Sequence, residues 1–115
     1  MNINNNNLQL DDVVVTTKYS IKKAIEIEEK YIVLQKIPRV ELGFDEINNI
    51  ICYDKCGNIV WQISNKLPAS ITSREQVPYV DIRMENGSLL ATDFWGRRFT
   101  VNIETGFLED VVVVK

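Results

Sequence analysis

SIKKAIEIEEKYIVLQKIP, Ser20 to Pro38, is the stretch on which the fold turns. By propensity, Ala24, Glu26, Glu28, Glu29 and Lys30 favour a helix. By pattern, Ala24-Ile25-Glu26-Ile27-Glu28 alternates apolar with polar, as strand side chains do on opposite faces. Ile21, Ile25 and Ile27 sit poorly on one helical stripe once Tyr31-Ile32-Val33-Leu34 is added, and that run itself reads as a buried strand. The pattern predicts two strands joined by a tight turn at Glu29-Lys30. A short helix at Ile21–Lys30 is the alternative. Pro38 ends the run because it has no N–H to give a ladder.

Upstream, Val13-Val14-Val15-Thr16-Thr17 predicts a strand, since stiff β-branched side chains pack well on a pleated surface. Ahead of it, MNINNNNLQLDD lacks the basic-then-apolar order of a secretory signal. Its asparagine run reads as a disordered leader over residues 1–10, with one β domain at 11–115.

Downstream, RVELGFDEINN reads as a connection, with Gly43 and Asn48-Asn49 as breakers. Ile50–Tyr53, a turn at Asp54–Gly57 and Asn58–Ser64 follow, then a long loop, NKLPASITSREQVP. The last third has the clearest alternation. Val80, Ile82 and Met84 face one way, Asp81 and Arg83 the other. Asn86-Gly87 is a strong hairpin signal because both residues tolerate positive φ. Ser88–Thr92, a turn closed by Gly96, the alternating Phe99, Val101 and Ile103, a turn at Glu104-Thr105-Gly106 and Phe107–Val114 complete a four-stranded meander. The expected fold is all-β, with about seven to nine strands in two blade-like antiparallel meanders packed as a sandwich or partial barrel.

Composition narrows function. The 115 residues suit one domain. A net charge of −3 gives no case for nucleic acid, whose binders need a basic face to displace counterions. There is no histidine, which removes the commonest general base and transition-metal ligand. Cys52 and Cys56 have no second cysteine pair to complete a zinc set, so they read as free thiols, one in a strand and one in a turn. No apolar run approaches the ~20 residues of a membrane-spanning helix. The default expectation is a cytoplasmic protein with no cofactor, metal or membrane partner.

Asp54 and Asp93 lie 39 positions apart, as do Gly57 and Gly96. An aspartate at the first turn position accepts backbone N–H bonds two residues on, and a glycine at the fourth supplies positive φ. The Asp-x-x-Gly element is therefore turn chemistry, used twice. A calcium loop needs more oxygen ligands on alternate residues than either turn has. With Trp61, the stretch IICYDKCGNIVWQI resembles the quinoprotein-type propeller repeat, the second copy being weaker because Thr100-Val101 stands near the tryptophan position. Gly96-Arg97-Arg98-Phe99 is similar to a strand of small bacterial proteins of uncharacterised function. The resemblance implies blade-like hairpins and no cofactor. A chain of this length has room for two such units, too few to close a ring.

Phe94 and Trp95 sit inside a turn, flanked by Arg97 and Arg98. Two large aromatics at a loop tip either fold back onto the core or form a contact patch; aromatic-plus-arginine groups at the surface are favoured in interfaces, and in that second case these four residues are the candidate patch. Trp61, alternating with Ile59 and Ile63, reads as packing. The expected function is a non-catalytic protein-interaction module, with an unknown partner or a second copy. Asp11, Asp12, Glu26, Glu28, Glu29, Asp45 and Glu46 read as a solvated face, or, in a second functional reading, as the acidic surface of an immunity protein that neutralises a toxin. A carboxylate-dependent enzyme comes third, because nothing in the sequence sets two acids across a cleft.

Overall fold

A computed structural model of the chain describes residues 1–64, 66–69, 71 and 74–112. Among these, eleven strands form three antiparallel sheets. The first sheet holds β1 (Asn2–Asn4), β2 (Asn7–Leu10) and β3 (Val13–Thr16). The second runs in order through β4 (Ile21–Ile27), β5 (Lys30–Gln35), β6 (Ile50–Asp54) and β7 (Ile59–Gln62). The third is the meander β8 (Tyr79–Glu85), β9 (Ser88–Asp93), β10 (Arg98–Val101) and β11 (Leu108–Val112). Residues 113 and 114 of the expected last strand lie outside the described residues.

The decisive stretch is two strands, as its alternation predicts. The helix weighed at Ile21–Lys30 is absent, and the one short helix among the described residues, α1, is Phe44–Ile47. The turn falls one residue earlier than expected. Ile27 pairs with Lys30, and Glu28 and Glu29 take φ of 49° and 63°. Two positive φ values match the hand of a two-residue hairpin, although glutamate is a poor residue for that region.

Burial explains why Tyr31–Gln35 is apolar almost throughout. The second sheet is a middle layer with both faces covered. Ile32, Leu34, Ile50, Cys52 and Trp61 join Ile82, Leu89, Ala91, Phe99 and Val101 of the third sheet in one core. Tyr31, Val33 and Tyr53 join Leu8, Leu10 and Val15 of the first sheet in another. Successive residues of β5 thus feed different cores, as period-two geometry requires.

The expected leader is instead part of the fold. Asn5, with φ of 55°, turns the chain between β1 and β2. The Asn6 carbonyl accepts from Thr17 N at 2.8 Å, and the Asn5 carbonyl accepts from Ile21 N at 2.8 Å. Leu8 and Leu10 are buried, each worth about 1.5–3 kcal/mol. Asn5 and Asn6 are turn residues tied to the chain after β3, while Asn4 and Asn7 belong to the flanking strands.

Two further ties bind the sheets. Trp61 Nε1 donates to the Ile103 carbonyl at 2.7 Å, and Gly106 lies so close to the indole that a Cβ there would stand 2.5 Å from the ring. Near α1, Glu46 accepts from Lys18 Nζ at 2.9 Å, Tyr19 OH at 2.8 Å and Gly43 N at 3.0 Å. The bond from Lys18 first, then that from Tyr19, lowers the Glu46 carboxyl to about 2.

The offset of 39 residues carries β6 and β7 onto β9 and β10. These hairpins are the third and fourth strands of one sheet but the second and third of the other. What repeats is a hairpin; the two meanders around it are phased differently.

Candidate functional site

Both Asp-x-x-Gly turns are built alike. In the first, Asp54 Oδ1 accepts from Cys56 N and Asn58 N, each at 2.9 Å, and Gly57 N donates to the Asp54 carbonyl at 3.1 Å. In the second, Asp93 Oδ1 accepts from Trp95 N at 3.1 Å and Arg97 N at 2.9 Å, and Gly96 N donates to the Asp93 carbonyl at 2.9 Å. Gly57 and Gly96 have φ of 83° and 82°. The residue after each glycine reaches the second carboxylate oxygen: Asn58 Nδ2 at 3.4 Å, Arg97 Nε at 2.7 Å.

The second turn carries the candidate residues. Phe94 is 71% exposed and Trp95 46%. Arg97 is not a free contact arm. Its side chain is only 16% exposed and pairs with buried Asp93, while Nη2 donates to the Glu75 carbonyl at 2.7 Å. The guanidinium carbon lies 5.0 Å from the Trp95 ring centroid and 5.8 Å from that of Phe99, within cation–π range. Arg97 therefore fixes the indole from beneath. Arg98 stands apart on β10, opposite Thr92 and Val112, and alternation places it on the other face of its sheet from Phe99.

Phe94 and Trp95 form one lip of a groove of about 460 Å³, a size that suits a small ligand or part of a peptide. Pro38 and Leu42 line it from the connection after β5, Pro78, Tyr79 and Val80 line it from β8 and the residue before it, and Lys22, Lys36 and Glu75 are its charged lining residues. Leu42 is 46% exposed. Burial pushes the Tyr79 phenol well above its ordinary range, and its ring meets Phe99 edge to face at 6.3 Å.

Backbone groups at Pro78–Val80 are largely paired. Asn49 Nδ2 donates to the Tyr79 carbonyl at 2.9 Å and Asn49 Oδ1 accepts from Tyr79 N at 2.8 Å. The Pro78 carbonyl accepts from Phe94 N at 2.9 Å, and the Val80 carbonyl accepts from Lys22 Nζ. Both Lys22 and Val80 sit at register shifts, in edge strands β4 and β8. Such bulges re-aim side chains and blunt a sheet edge. In the sequence Asn49 reads as a loop breaker. No local signal distinguishes it from an exposed asparagine, since its partners are 14 and 30 residues away.

The seven expected acids do not form one free surface. Glu46 is buried, Glu29 pairs with Lys55 at 2.8 Å, and Asp45 lies 3.9 Å from Lys18. Cys52 is buried in β6 and Cys56 exposed in the turn; burial raises the Cys52 thiol to about 11. Among the described residues no group of three or more acidic or cysteine side chains converges as a metal site would. No helix among them is long and apolar enough to cross a membrane.

No curated protein and no solved structure gives a significant match to the chain. A family model described as domain of unknown function (DUF7957) matches residues 1–112, from the first strand to the last, and the chain belongs to this family.

Proposed function

We propose that the protein is a non-catalytic interaction module that binds a protein partner along the groove beside Phe94 and Trp95. One observation carries this reading. The same backbone turn is built twice, and only the second copy lifts two large aromatics out of the core beside a groove. The first does without them, using Lys55 and Cys56 at those positions. Large exposed aromatics cost hydration and are concentrated where a partner covers them. In this reading the two blade-like sheets serve as a rigid frame for the turn. A cytoplasmic setting and a bacterial source remain parts of this proposal.

The immunity-protein reading draws less support, because Glu46 turns inward and Glu29 and Asp45 face lysines. The test is a pair of variants, Phe94→Ala and Trp95→Ala, assayed for thermal unfolding and for binding of peptides selected by display against the full chain. Native-like melting with loss of binding is expected. Selected peptides that bind both variants as tightly as the native chain would refute the proposal. Arg97→Ala is unsuitable here, since Arg97 is built into the turn.

A further inference from the structure

We infer that the groove takes an extended proline-rich segment of the partner with a carboxylate flanking it. This rests on the proposal that the groove is a protein-docking site. Three observations carry it.

The first is the paired backbone at Pro78–Val80. A peptide that adds a strand needs a row of open N–H and C=O groups. Here Tyr79 N and both the Pro78 and Tyr79 carbonyls are already bonded, Lys22 holds the Val80 carbonyl, and Pro78 has no N–H. Along Pro78–Val80, recognition therefore falls to side-chain surfaces. A polyproline-type segment suits that demand, because its own backbone is fully solvated and makes no internal hydrogen bonds.

The second is the lip. Trp95 presents an exposed indole already stacked on Arg97, with Phe94 beside it and Pro38 and Leu42 also lining the groove. A flat indole held by Arg97 suits flat proline rings, and a stiff ligand loses little entropy on binding.

The third is charge. Lys22 and Lys36 line the groove against one carboxylate, Glu75, in a chain whose net charge is −3. The bond to Val80 uses one of the three Lys22 donors. A positive rim on an acidic protein selects a carboxylate on the ligand.

The experiment uses the full chain and an acetylated peptide of sequence Glu-Pro-Pro-Leu-Pro-Pro-Glu, followed through the Trp95 indole N–H resonance. Trp61, whose indole donates to Ile103, is the internal reference. Three control peptides replace both glutamates by lysine, form an amphipathic helix, or alternate valine with threonine. The acidic proline peptide should shift Trp95 saturably and leave Trp61 in place. Titration calorimetry, which needs no Trp95 signal, should show Trp95→Ala weakening binding about tenfold or more. Lys36→Glu should weaken it and improve binding of the lysine-flanked peptide.

A helical or strand-forming peptide that binds more tightly, with the same dependence on Trp95, would overturn the inference and leave the docking proposal standing. Self-association that Trp95→Ala abolishes would make the occupant a second copy, and would overturn it too. If no probe shifts Trp95, the inference falls; if displayed peptides are also indifferent to Trp95→Ala, the docking proposal falls with it.

Discussion

The turns at Asp54–Asn58 and Asp93–Arg97 share their backbone bonds and differ in what surrounds them. The first lies over the N-terminal sheet, with Gly57 against Val13 and Val15 and Lys55 reaching Glu29. The second has its aspartate buried and its glycine open. Asp54 is needed mainly to close its own turn. Asp93 closes a turn and also faces the arginine that supports Trp95. One local device thus does two jobs, and the difference lies in the fifth residue, asparagine in one and arginine in the other.

The sharpest way to break this comparison is to remove each aspartate. Asp93→Ala strips two backbone bonds and takes the carboxylate from a mostly buried Arg97, and it should cost about 3–5 kcal/mol. Asp54→Ala, at an exposed turn, should cost clearly less. Urea unfolding of both variants measures this; equal losses would mean the turns are energetically alike. The glycines come next. Gly96→Ala has open space around the new Cβ, so only the positive φ opposes it, by about 1–2 kcal/mol. Gly57→Ala carries the same strain and also places a Cβ 2.8 Å from the stiff Val13 side chain. It should melt at the lower temperature of the two.

Exchanging the tips is a smaller perturbation of the fold. Phe94→Lys combined with Trp95→Ser gives the second turn side chains closer to those of the first. Stability should change by no more than about 1 kcal/mol, the worth of the contact with Arg97, while peptide binding is lost. A large drop in melting temperature would show that the aromatics hold the fold. The smallest effect concerns acid. Hydrogen bonding, led by the N–H of Asn58, lowers the Asp54 carboxyl from its ordinary 3.8. A lowered folded-state value means stability that is present above 3.8 and lost as pH falls through the folded value. Asp54→Asn keeps the accepting oxygen, so its unfolding midpoint should fall less steeply in that window than that of the native chain.

Much of this was legible in the sequence because the signals were local. Asp54, Gly57, Asp93 and Gly96 specify their turns through bonds spanning four residues, and Asn86-Gly87 specifies a hairpin by conformation alone. What escaped was non-local or chemically disguised. Asn4–Asn7 reads as a polar leader until Leu8 and Leu10 are seen packing on Tyr31, Val33 and Tyr53. Glu28-Glu29 turns without any residue that favours positive φ, so the alternation on either side was the only guide. Of the candidate site, Phe94 and Trp95 could be singled out because a turn had no evident need of them. The groove could not, because it forms where the segment after β5 meets β8, more than 30 residues on. Arg97 looked like a contact residue because nothing in Gly-Arg-Arg-Phe says which arginine folds back on an aspartate four positions earlier.

Asn49 has one more consequence. Its amide bonds Gln35 and both backbone groups of Tyr79 from a fully buried position. Apolar faces tolerate sliding, since one aliphatic side chain can replace another at little cost. An amide with three buried partners does not, because each bond left unmade strands a polar group without water. If the middle and last sheets docked one residue out of step, the two bonds to Tyr79 would be left without partners. Asn49 thus acts as a register pin, making the alignment of the two sheets, and so the shape of the groove between them, a matter of a single residue step.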